Sequence, residues 1–94
     1  MDNNSRPVLV TTEHRGVFFG DLDNDTDETA RSLVLTNCRN AIYWAGSRGF
    51  LGLASHGPDE GSRIGSEAPR VLLHDVTSVT ECTDTAADKW RGWA

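Results

Sequence analysis

The sequence predicts a mainly β (α+β) domain: a small, strongly bent antiparallel sheet or partly open barrel, with one short internal helix and a C-terminal helix. Three observations carry this expectation. Short runs of alternating residues, rich in β-branched Val and Thr, recur along the chain with turn residues between them. Gly16, Gly20 and Gly46 fall where such runs need to bend. Finally, Thr83 or Asp84 stands ahead of a helical segment in which Trp90 and Trp93, spaced i, i+3, share a face.

The elements follow in order. Residues 1–6 read as a frayed start. Pro7–Thr12 is the first strand, with proline at a position where its missing N–H lies outside the ladder. Val17–Leu22 is the second, and its Phe18 and Phe19 point to opposite faces. Gly20 inside it marks a bulge, a bend or the close approach of another backbone. Asp21–Glu28 is an acidic loop, and Thr29–Asn37 returns as the third strand. The chain is organised around Leu33–Ser55, which reads as two strands joined at Asn37–Cys38, a Gly46-Ser47-Arg48-Gly49 reversal, and a short helix carrying Phe50, Leu51, Leu53 and Ala54. A loop follows from His56 to Gly61, and residues 62–69 are weakly patterned. Pro69–Asp75 and Val76–Cys82 are the late strands. The closing helix leaves residues 92–94 frayed. Ninety-four residues make one domain, 1–94, with no internal repeat and no linker long enough to separate two units.

Composition narrows the function classes. A net charge of −5 argues against general affinity for DNA or RNA, while leaving room for a pocket that takes a small anion. No apolar run approaches the ~20 residues that cross a bilayer, and the polar start MDNNSRP is unlike a signal peptide, so a cytoplasmic protein is expected. Cys38 and Cys82 are too few for a disulfide framework and read as free, partly buried thiols.

The sequence shows no catalytic constellation. His14, His56 and His74 are scattered, with no pair at metal-ligand spacing. The acidic loop fails as a calcium loop: counted from Asp21, positions 6 and 12 hold Thr26 and Ser32 where Gly and Glu are needed. Gly46–Gly49 lacks the lysine and spacing of a phosphate loop. Neither a metal nor a cofactor is expected. Arg39, Arg48 and Arg63, however, sit near strand ends or loops around Tyr43 and Trp44. Guanidinium forks bind phosphate bidentately, and aromatic faces stack on bases. Together with Phe18, these residues form the candidate ligand site of a nucleotide-binding pocket. The plainer reading stands beside it: Tyr43 in the core, Trp44 at a subunit contact, and the arginines paired with carboxylates.

The segments VLVTTEHRGVFFG, LVLTNCRNAIYWAG and VLLHDVTSVTEC, in that order and spacing, resemble a family of small uncharacterised tailed-phage and prophage proteins. The shared pattern is an early V-L-V strand, a G-V-x-[FHY]-G strand and an L-x-[ND]-[AC]-R-x-[IL]-x-Y-W-x-G block, then a short helix and two late strands. It falls here on Gly16, Val17, Phe18 or Phe19, Gly20, Leu35, Asn37, Arg39, Tyr43, Trp44 and Gly46, and spans residues 7–83. The acidic loop at 21–28, the glycine-rich loop at 57–66 and the Trp-bearing tail depart from it. The resemblance implies a phage accessory protein in the host cytoplasm that binds rather than catalyses. One class of such proteins comprises homo-oligomeric sponges for the cyclic di- or trinucleotide signals of antiphage defence. The rival expectation is an acidic protein that mimics nucleic acid and blocks a host or defence protein. A small hydrolase ranks third, since no nucleophile and base stand together.

Overall fold

The computed structural model describes residues 5–13, 16–27, 29–44 and 49–93. Alternating Val and Leu in a chain with frequent turns build six strands: β1 (Ser5–Thr12), β2 (Val17–Asp23), β3 (Leu33–Tyr43), β4 (Arg63–Ile64), β5 (Ala68–Leu73) and β6 (Val76–Glu81). Two helices accompany them, α1 (Gly49–Ser55) and α2 (Asp84–Arg91). The strands are antiparallel in the order β4-β3-β2-β1-β6, with β5 also on β3. β5 and β6 therefore end opposite sides of the sheet, yet only His74 and Asp75 separate them in sequence. The sheet curls to bring them together and stays open along that seam, as a bent or partly open barrel.

Period-two alternation assigns every second side chain to the inside of the curl. Val8, Val10, Leu22, Leu33, Leu35, Cys38 and Leu73 form the inner core, with Phe18, Val71, Val76 and Val79 packed against it. Each fully buried aliphatic side chain contributes about 1.5–3 kcal/mol. The outer face carries a second core: Leu9 and Phe19 from the sheet meet Leu53 and Ala54 of α1 and Ala87 and Trp90 of α2. The two phenylalanines thus do occupy opposite faces. Phe19 stacks on Trp90 with ring centroids 5.4 Å apart and planes 3° from parallel.

Where two strands were expected to join at Asn37–Cys38, β3 runs through as one strand of 11 residues. The signal read as a break is a bulge. Phe19 pairs with Arg39 and Asp21 with Thr36, so Gly20 alone faces the two residues Asn37 and Cys38. Asn37 adopts φ 51°, a left-handed conformation that asparagine tolerates better than most residues. Gly20 allows the close approach, since a Cβ there would lie 2.9 Å from the Leu35 Cβ. Past the bulge β3 changes partners, leaving β5 for β4. The two-residue β4 lies in the segment that shows only weak patterning.

α2 begins as its sequence predicts. The Thr83 hydroxyl oxygen accepts from the Ala86 N–H at 3.1 Å and donates to the Ser55 carbonyl at 2.9 Å, which ties the helix start to the end of α1. Asp84 lies near the positive end, Lys89 and Arg91 near the negative one. The helix stops at Arg91, so Trp93 lies just beyond it and does not extend a helical face. Trp93 is half-buried and donates from Nε1 to the Ser62 carbonyl at 3.3 Å.

Candidate functional site

The expected site residues divide into three groups. Tyr43, Trp44 and Arg63 gather where β3 meets β4. Tyr43 is opposed to Arg63 across the strand pair. Tyr43 is 59% exposed. Arg63 is also exposed, and its guanidinium has no hydrogen bond or ion pair to another residue among the described residues. Trp44 follows directly and is half-buried against the outer core. The alternation of 43 and 44 therefore places one ring in solvent and one on the body, with Arg63 opposed to the first across the strand pair. Sequence spacing does not reveal the Tyr43–Arg63 juxtaposition, because it depends on the two-residue β4.

Arg39 and Phe18 take other roles. Arg39 is buried beneath α2. Its Nε donates to the Gly65 carbonyl at 2.8 Å. Its Nη1 donates to the carbonyls of Trp90 and Trp93 at 2.8 Å each, and to that of Arg91 at 3.4 Å. The Trp90 and Arg91 carbonyls are among those that a helix leaves without an intrahelical partner at its C-terminus, that of Trp93 lies just past it, and a fork-shaped cation suits the group. The guanidinium thus faces carbonyls rather than a pocket shared with Tyr43. Phe18 is half-buried on the inner core, on the other side of the sheet from Phe19. Arg48 and Gly46 lie outside the described residues.

The expected acidic loop is only partly a loop: Asp21–Asp23 belong to β2, residues 24–27 turn away from its end, and Glu28 lies outside the described residues. Asp23, Asp25 and Asp27 are exposed. Asp23 accepts the Asp25 N–H at 3.0 Å, and Asp27 accepts both the hydroxyl and the N–H of Thr29, at 2.7 and 2.9 Å. Those two bonds, the hydroxyl foremost, hold the Asp27 carboxyl below its ordinary range. Among the described residues no group of three or more His, Cys, Asp and Glu is placed to hold a metal ion. Ion pairs link Arg6 to Glu81, Arg31 to Glu13 and Arg91 to Asp21. Arg91 also lies over the Phe19 ring, 5.6 Å from its centroid.

Both thiols are free. Burial pushes Cys38 up to about 11. It pushes Cys82 up to about 12 against the opposing pull of Arg91. Protonated thiols at neutral pH are poor nucleophiles. No helix among the described residues is long and apolar enough to cross a membrane.

No curated protein and no solved structure matches the chain. A family model does match, over residues 5–90, from the first residue of β1 to the tryptophan that closes the outer core. The chain belongs to the family described as a domain of unknown function, DUF6948.

Proposed function

We propose that the protein binds without turnover and sequesters a cyclic di- or trinucleotide, as a phage-encoded counter to host antiphage signalling. The observation that carries this reading is the exposed Tyr43 at the end of β3 opposed by Arg63, whose guanidinium has no partner among the described residues. An aromatic face stacks on a base for about 1–3 kcal/mol, and a guanidinium beside it holds the adjoining phosphate through two hydrogen bonds. The phage context comes from the resemblance of the three strand segments. A single copy presents this pair on one open side, so a second copy would close the pocket, in keeping with a homo-oligomer.

The test is calorimetric titration with a panel of cyclic di- and trinucleotides. Binding is expected for at least one member, with Tyr43→Ala and Arg63→Gln each weakening it by about tenfold or more. No heat from any member removes the reading.

A second reading rests on the hairpin, where Asp23, Asp25 and Asp27 stand exposed on one turn. Such a surface suits the basic groove of a nucleic-acid-binding protein. Replacing the three with Asn would abolish inhibition of that partner and leave nucleotide binding intact.

A further inference from the structure

A groove of about 360 Å³ lies on the outer face of the sheet, at the end of β3 far from Tyr43. Its lining includes Asp21 and Asp23 of β2, Val34 and Thr36 of β3, and Arg70 of β5. The registers explain its shape. Asp21 is opposed to Thr36 and Thr36 to Arg70, so the three stand in one row across three strands. Directly opposed side chains share a face. Two strand spacings separate Asp21 from Arg70, roughly 10 Å between Cα atoms, and Asp23 stands two residues further along β2, diagonal to Arg70 and on the same face. The short Thr36 between them forms a floor. In the adjacent row Val34 adds apolar surface to that floor.

The charges on the two walls differ in availability. Asp21 is engaged: Oδ1 takes Arg91 Nη2 at 2.7 Å and Oδ2 takes Asn37 Nδ2 at 3.1 Å. Asp23 is exposed and uses Oδ1 for the Asp25 N–H, which leaves Oδ2 toward solvent. Arg70 is exposed, and its guanidinium has no hydrogen bond or ion pair among the described residues. The sheet thus holds a carboxylate and a guanidinium apart over a short, partly apolar floor, where they do not neutralise each other.

We propose that this groove binds an ω-amino acid: an ammonium at one end for Asp23, a carboxylate at the other for Arg70, and a short alkyl stem over Val34 and Thr36. The same chemistry is offered by a free small molecule and by the C-terminal lysine of a polypeptide. The volume of about 360 Å³ lies at the lower end of the ~300–1,000 Å³ range of small-molecule sites. The proposal is independent of the Tyr43 site, since seven residues of strand, roughly 23 Å, separate Thr36 from Tyr43.

The experiment is an NMR titration of the 15N-labelled protein with 6-aminohexanoate. Saturable shifts are expected at Asp23, Val34, Thr36 and Arg70, with Kd of about 1 mM or tighter. Hexylamine and hexanoate, each lacking one charge, are expected to bind at least about tenfold more weakly. Arg70→Gln is expected to weaken 6-aminohexanoate by about tenfold while leaving hexylamine unchanged, which separates loss of the carboxylate partner from loss of fold. Binding of Nα-acetyl-lysine but not of Nα-acetyl-lysinamide identifies a terminal lysine as a source; binding of 6-aminohexanoate alone identifies the free molecule. No shifts at these residues up to about 20 mM, or hexylamine binding as tightly as 6-aminohexanoate, overturns the proposal.

Discussion

Arg39 donates through Nη1 to the carbonyl of Trp90 at 2.8 Å, joining the middle of β3 to the last turn of α2. A buried cation at the negative end of a helix meets both its charge and its open carbonyls. Arg39→Met should therefore destabilise the fold by about 3 kcal/mol, because several buried acceptors lose their donor together. Arg39→Lys should recover less than half of that, since a single ammonium cannot span the Gly65 carbonyl and the carbonyls of α2. Urea unfolding followed by tryptophan fluorescence measures both.

Trp90 serves as an apolar plate and as a donor. It is fully buried, stacks on Phe19, and gives its Nε1 proton to the Leu53 carbonyl at 3.0 Å. Trp90→Phe keeps a ring over Phe19 but leaves that carbonyl unpaired and the space part-filled, for a loss of about 1–3 kcal/mol. Trp90→Ala removes the plate as well and should cost about 3–5 kcal/mol. Thermal unfolding by circular dichroism should rank wild type, Phe and Ala in that order.

The two thiols set a limit on the alkaline side. Both folded-state values, about 11 for Cys38 and about 12 for Cys82, lie above the ordinary 9.0. The folded protein therefore holds these protons more tightly than the unfolded chain. Their contribution to stability is complete below pH 9 and falls as pH rises toward 11 and 12. Urea midpoints measured across that range should decline, and Cys38→Ala with Cys82→Ala should flatten the decline. At pH 8 a thiol-specific disulfide reagent should label the native protein far more slowly than the urea-unfolded chain.

Asn37 is the hinge of the bulge. Its φ of 51° disfavours a β-branched residue, and its Nδ2 donates to Asp21 Oδ2 at 3.1 Å. Asn37→Val should cost about 2 kcal/mol through backbone strain and the lost bond. Asn37→Gly keeps the conformation and should cost about 1 kcal/mol or less. Chemical unfolding of the two variants side by side checks the ordering.

Much of the architecture was legible in the residues. Alternation in Pro7–Thr12 and Val17–Leu22 marked β1 and β2 to within two residues. The threonine at 83 marked the helix start, because a hydroxyl ahead of a helix has a local task that needs no tertiary context. Asn37 misled because a bulge and a strand break look alike locally; only the partner strand, with its single Gly20, tells them apart. Arg39 misled for a related reason. Its position near two aromatic residues is visible in the sequence, but the carbonyls it serves lie some fifty residues downstream. The groove beside Arg70 was invisible, since it exists only where three strands align.

The seam between β5 and β6 gives the domain the mechanics of a clasp. Two jaws, one clipped to β3 and the other to β1, meet at a hinge of two residues with Asp75 at φ 56°. Severing that hinge would leave each jaw held by its own ladder, by the shared inner core and by the bond from the Val76 N–H to the Arg31 carbonyl at 2.8 Å. Breathing of the domain should begin there, and the amides of β5 and β6 should trade their hydrogens for deuterium before those of the central β2.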